Sequence, residues 1–151
     1  LPGMLHIAFV RSPHAHARIQ SIDSSSALAL AGVRRIFTGQ DIEGSIRPMG
    51  LAMRPDAFPP SAVKDIKWPC LALGKVRYVG EPVVAVIADS RYLAEDGAEL
   101  VQIDYDVLPP LVDPEMAIKS DAPLLHEEFD NNIALHLSTF FKTIFMLIPD
   151  I

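Results

Sequence analysis

The sequence predicts an α/β fold of mixed α+β character, a mixed sheet made by two strand-helix-strand units. Three observations carry this. Val83 to Ala88 runs through six apolar residues without a polar interruption, as a central strand covered on both faces would. Ile103, Tyr105 and Val107 alternate with Asp104 and Asp106, the period of a half-buried strand. The order strand, Asp-Ser, helix, strand occurs twice, around Asp23-Ser24 and around Asp89-Ser90, and Asp and Ser are good N-cap residues.

Taken in order, residues 4–10 (MLHIAFV) are apolar and partly β-branched, which predicts a first strand ended by Ser12-Pro13-His14. Ala17 to Ile22 predicts a second, with Ala17, Ile19 and Ser21 inward and Arg18 and Gln20 outward. Residues 27–31 form a short helix stopped by Gly32. Val33 to Thr38 is a third strand, closed by Gly39-Gln40-Asp41. Residues 42–67, broken by Gly44, Pro48, Gly50, Pro55, Pro59 and Pro60, sustain no period and predict a long excursion. Its Met49, Leu51, Met53 and Phe58 are expected over the domain surface or against a partner.

Short strands are expected at 68–73 and 76–79, before the apolar run. Pro82 lacks an N–H, so it suits the first position of that run, and it biases Glu81 toward extended backbone. Ala94, Gly97, Ala98 and Val101 then fall on one helical face. The domain is expected to occupy residues 1–108. Residues 109–136 form an extended connector, with one helical turn started by Asp113-Pro114. Residues 137–151 form an apolar tail with three Phe, one Lys and one Asp; alone, such a run is an aggregation hazard.

A net charge of −6 argues against nucleic acid as a partner, and gives no support for an anionic membrane surface. No run of roughly eighteen apolar residues is present for a membrane-spanning helix, and no signal-peptide pattern follows Leu1. The single cysteine, Cys70, excludes an internal disulfide and any multi-cysteine metal site. It is compatible with a reducing compartment, and the expected location is the cytoplasm.

The chemistry-bearing residues each have a plain structural reading. Glu81 has only Lys75 and Arg77 nearby in sequence, and reads as a strand-leading residue rather than a catalytic carboxylate. His14-x-His16 has ligand-like spacing on a strand, but no spacing supplies a third ligand, and a polar turn explains it. Cys70, after Pro69 among apolar residues, reads as a buried inert thiol. Asp104, Asp106 and Asp113 read as a solvated face. No glycine pattern for phosphate binding occurs. Catalytic, cofactor-binding and metal-ligating residues are therefore assigned to none of these positions.

The ordered segments AFVRSPHAHARIQSID, GVRRIFTGQDI, KVRYVGEPVVAVIADSRYLAEDGAELVQIDYDVLPPLVDPEMAI and APLLHEE with Asn131-Asn132 resemble one family over residues 3 to about 136. It is the α/β-hammerhead domain that opens the large subunit of aldehyde oxidases, xanthine dehydrogenases and aerobic carbon monoxide dehydrogenases. The resemblance implies a holoenzyme that oxidises or hydroxylates its substrate at molybdenum held by a pterin dinucleotide. It implies partner subunits or domains with (2Fe–2S) clusters and FAD, and pterin-binding segments and an active-site Glu in later domains. This chain is then expected to be a structural piece, inactive alone, truncated or frame-shifted after NNIALH where LSTFFKTIFMLIPDI departs from the family. A stand-alone binding or scaffold role, with a homo-oligomer formed through the apolar tail, is the competing expectation. A small metal enzyme using His14 and His16 is a third.

Overall fold

Among the described residues six strands and four helices follow one another in the order β1 (His6–Arg11), β2 (Ala17–Asp23), α1 (Ser25–Ala29), β3 (Val33–Thr38), α2 (Gly39–Ile42), β4 (Lys75–Val76), β5 (Pro82–Ala88), α3 (Arg91–Glu99), β6 (Gln102–Val107) and α4 (Pro114–Ala117). The structure, a computed structural model, describes residues 2–50 and 63–136. The expectations for Leu51, Met53 and Phe58 and for residues 137–151 lie outside the described residues.

The α/β-hammerhead class holds, but the sheet is not one mixed sheet. Two antiparallel three-stranded sheets form, ordered β1-β5-β3 and β4-β2-β6. The reason lies in the strand-helix-strand units. β2-α1-β3 starts in the second sheet and ends in the first, whereas β5-α3-β6 runs the opposite way. Neither helix therefore links parallel neighbours, and α3 is not the crossover its length allows. It lies across β1 and β5, with α1 beside it.

β5 is central, as its uninterrupted apolar run requires. Successive strand residues face opposite ways, and Val83, Val84 and Val86 are all fully buried, so both faces are covered there. Val86 meets α3 at Gly97, where an added Cβ would lie 3.0 Å from Val86 Cγ1 and 3.0 Å from Val33 Cγ2. That closeness explains a glycine in mid-helix, where Ala would otherwise be favoured by about 1 kcal/mol. On the other face cover runs out toward the β1 edge. Ile7 pairs with Ile87 and Phe9 with Ala85, yet Ile7 is 53% and Phe9 42% exposed.

In β2 the pairing to β6 slips between Ile19 and Ser21. A bulge adds one residue and reverses the facing of the residues after it. Ile22, not Ser21, thus packs against the core with Ile19, Ile103 and Tyr105. Residues 68–73 form no strand; Trp68 makes one isolated bridge to Met49. The backbone of Ala72 instead donates to Pro82 O at 2.8 Å. The expected strand 76–79 reduces to Lys75–Val76 because Tyr78, Val79 and Gly80 turn into β5, Gly80 at φ +87°. Gly39-Gln40-Asp41, expected only to close β3, begins α2. Asp41 Oδ2 accepts from the Thr38 amide and hydroxyl, both at 2.7 Å, and a bonded first turn results.

Candidate functional site

The residues with the most chemistry meet at the corner between β1 and β2. Ser12 is buried. Its amide donates to Glu81 O at 2.9 Å, and its carbonyl accepts from Gly80 N at 2.8 Å. Ser12 Oγ also accepts from His14 N at 3.0 Å, so the Ser-Pro-His turn is closed by its own side chain. The turn that delivers Glu81 is thereby held against the end of β1. Arg11 adds a bond from Nη1 to Gly80 O at 2.8 Å.

Glu81 is 5% exposed. Its Oε2 accepts from the Arg77 amide at 2.5 Å, four residues back across the β4–β5 turn. Burial pushes the carboxyl pKa above its usual value, while the Arg77 amide and guanidinium charge and the Tyr78 amide hold it back. A buried carboxylate bonded to main chain is a structural device unless a substrate can reach it. The expected reading of Glu81 as the polar residue leading β5 fits this geometry, and its role is more specific, because its side chain ties the turn.

Tyr105, from β6, reaches the same corner. Its ring meets His14 edge to face, with centroids 5.0 Å apart and planes at 71°. Its hydroxyl is buried without a partner among the described residues. Burial pushes that hydroxyl's pKa up, the neighbouring Ser12 side chain holds it back, and the Glu81 charge adds to the rise. His16 is buried, with Nδ1 at 2.9 Å from Pro109 O. A carbonyl only accepts, so Nδ1 carries the proton, and Nε2 is left buried and unpaired among the described residues.

His14 and His16 precede β2 rather than lying in it, and their rings serve different partners. Among the described residues no three of His, Cys, Asp and Glu gather as a metal would need. Asp104 accepts from Ser21 Oγ at 2.8 Å on the exposed face of β6. Asp113 Oδ1 caps α4 through Glu115 N at 2.8 Å. Cys70 corrects the sequence reading: the thiol is exposed. Residues 68–73 make no strand that would turn it inward, and it lines an open cavity of about 440 Å³ beside α2.

Lys75 and Arg77 carry no signal in the sequence beyond their nearness to Glu81, yet they hold residues 124–127. Lys75, 6% exposed, lies 3.2 Å from Glu127 Oε1, and Arg77 Nε donates to Leu125 O at 3.0 Å. Asn132 Oδ1 accepts from Leu125 N, and its Nδ2 donates to Ala117 O and Pro123 O. No local pattern marks such long-range partners. The pairing of a charged residue with a buried position is visible only once the chain is folded.

Comparison with known proteins places this arrangement. The family described as aldehyde oxidase and xanthine dehydrogenase, a/b hammerhead domain, matches residues 1–109. The carbon monoxide dehydrogenase large chain of Afipia carboxidovorans is 44% identical over 133 residues, 88% of this chain and 15% of that one. Subunit gamma of the 6-hydroxypseudooxynicotine dehydrogenase complex of Paenarthrobacter nicotinovorans is 45% identical over 126 residues, 82% of this chain and 16% of that one. The crystal structure of quinoline 2-oxidoreductase from Pseudomonas putida 86 superposes with a TM-score of 0.78 at 38% identity, covering 89% of this chain and 16% of that one. The chain thus spans about 15–16% of the length of these relatives.

Proposed function

Since the chain belongs to the aldehyde oxidase and xanthine dehydrogenase family through its a/b hammerhead domain, we propose that it is the structural N-terminal domain of a molybdenum-pterin-dependent oxidoreductase, inactive alone. The observation that carries this is the use made of Glu81. The best-placed buried carboxylate is spent on an amide of its own turn. His16 is likewise engaged with Pro109 O. These groups build the corner at which β1, β2, β5 and β6 meet.

The donor set does not fit the iron–sulfur clusters of such an enzyme. A (2Fe–2S) cluster takes four cysteine thiolates or a mixed Cys and His set, and the sequence has one cysteine. Among the described residues no three metal-ligating side chains converge. In this reading molybdenum, pterin dinucleotide, iron–sulfur clusters and FAD are held by the other large-subunit domains and by partner subunits, in a cytoplasmic holoenzyme. The open β1 face, where Met4, Leu5, Ile7 and Phe9 are exposed, suits packing against those domains.

The test is to purify the whole chain alone, measure bound molybdenum, and assay dye-linked oxidation of an aldehyde, xanthine and carbon monoxide. Neither metal nor turnover is expected; turnover by this chain alone would refute the reading. A second arm exchanges the matching segment of the Afipia carboxidovorans large chain for residues 1–109. An assembled, active enzyme is expected, and failure to assemble would count against the structural role.

A further inference from the structure

Residues 123–135 contain no helix and no strand, yet they are tied to the domain by four upstream cations, Arg18 among them with Nη2 3.5 Å from Glu127 Oε1. Lys75, with its side chain 8% exposed, reaches Glu127 Oε1 at 3.2 Å and Leu124 O at 3.5 Å. Arg77 reaches Leu125 O. Lys64 Nζ donates to Asp130 Oδ1 at 3.1 Å, Asn131 O at 2.8 Å and Asn131 Oδ1 at 2.6 Å, and lies 5.1 Å from the Phe129 ring centroid. The backbone adds Lys64 N to Ala134 O at 2.9 Å. Asn132 closes the segment on itself. Beneath it lies a cavity of about 200 Å³ lined by Ile66, Leu125, Phe129 and Ile133 among others.

We propose that residues 123–135 are a strap that opens and closes on the domain as one unit, with Lys75 as its latch. The chemistry behind this is asymmetric. In these pairs every cation sits on the domain side and every acceptor on the strap, so closing makes several charge-assisted bonds together. The strap forms no helix or strand, and its own bonds are local: Leu125 N to Asn132 Oδ1, Asn132 Nδ2 to Pro123 O, Ile133 N to Asn131 Oδ1, Phe129 N to His126 O and the His126 Nδ1–Glu128 Oε1 pair. It therefore has little structure to keep when it lifts. A buried ammonium cannot stay unpaired, but lifting the strap admits water to Lys75, so the open state is accessible at a bounded cost. The closed state sets the direction in which the chain leaves the domain after residue 135. The strap's motion is independent of which enzyme the domain serves.

Hydrogen exchange followed by mass spectrometry on the whole chain tests this, comparing wild type with Lys75→Ala and Asn132→Ala. Peptides covering 123–135 are expected to be protected in wild type. They should exchange roughly tenfold to a hundredfold faster, all together, in each variant, with β5 peptides unchanged. Three results would overturn the proposal. Wild-type strap peptides could exchange at unprotected rates. The variants could change only the few residues around the lost contact. Or β5 could accelerate by the same factor, making the strap part of one cooperative core. Should Lys75→Ala fail to fold, Asn132→Ala, which removes two bonds within the strap and one to Ala117 O while leaving the cations in place, decides by the same criteria.

Discussion

Replacing Glu81 separates its two physical properties, an acceptor and a charge. Glu81→Ala removes the acceptor for the Arg77 amide, bonded at 2.5 Å. A hydrogen bond to a charged group contributes about 1.5–3 kcal/mol. For a chain of this size each kcal/mol corresponds to about 2–4 °C in Tm, so a drop of roughly 3–12 °C is expected by calorimetry. Glu81→Gln keeps an oxygen acceptor and deletes the charge. Burial raises the native carboxyl pKa above its ordinary 4.5. The folded state therefore holds its proton longer than the unfolded state does. The stability from this group is fully present below 4.5 and is lost as pH rises through the raised native value. The Gln variant lacks that loss. Urea denaturation of both proteins across this window should show the Gln variant gaining on wild type with rising pH, then levelling. An Ala variant as stable as wild type, or a difference between Gln and wild type that ignores pH, would refute the assignment of Glu81 as a buried turn clasp.

Other perturbations test the neighbouring elements. Gly39→Ala would drive a Cβ into the carbonyl oxygen of Ala72, whose amide is tied to Pro82 O. Overpacking of about 1–3 kcal/mol outweighs a helix-propensity gain of about 1 kcal/mol, so net destabilisation is expected in urea. Ser90→Ala removes the cap on Leu93 N, bonded at 3.2 Å. It should cost about 1 kcal/mol, with Ser90→Asp restoring most of it. Cys70 is exposed, so one thiol per native chain should react promptly with a disulfide reagent; reaction only on unfolding would show the thiol to be buried.

Much of the fold is legible along the chain because its causes are local. Pro82–Ala88 stands out by its β-branched run, and Arg91–Glu99 by a small-residue stripe behind a Ser cap. α1 differs from the expected 27–31: it spans Ser25–Ala29 and ends at an extended Leu30, so Gly32, at φ +96°, serves the turn into β3 rather than the helix stop. The ordered motifs also carry the family, which the match over residues 1–109 bears out. Cys70 and the 68–73 segment are misread for the opposite reason. Apolar composition there suggests a strand, but Ala72 bonds to Pro82 O instead of joining a ladder, and the thiol is left outside.

The sequence by itself determined where most strands and helices lie, and that Glu81 is the polar residue at the head of a buried strand. Periodicity, caps and proline act over a few residues, so they are written in order along the chain. Only the tertiary structure decided that β2 and β6 leave β5 for a second sheet, that a bulge turns Ile22 inward, and that Lys75 is buried against Glu127. Those outcomes join residues tens of positions apart. They depend on which apolar faces and charges find each other in space, a quantity no local window contains.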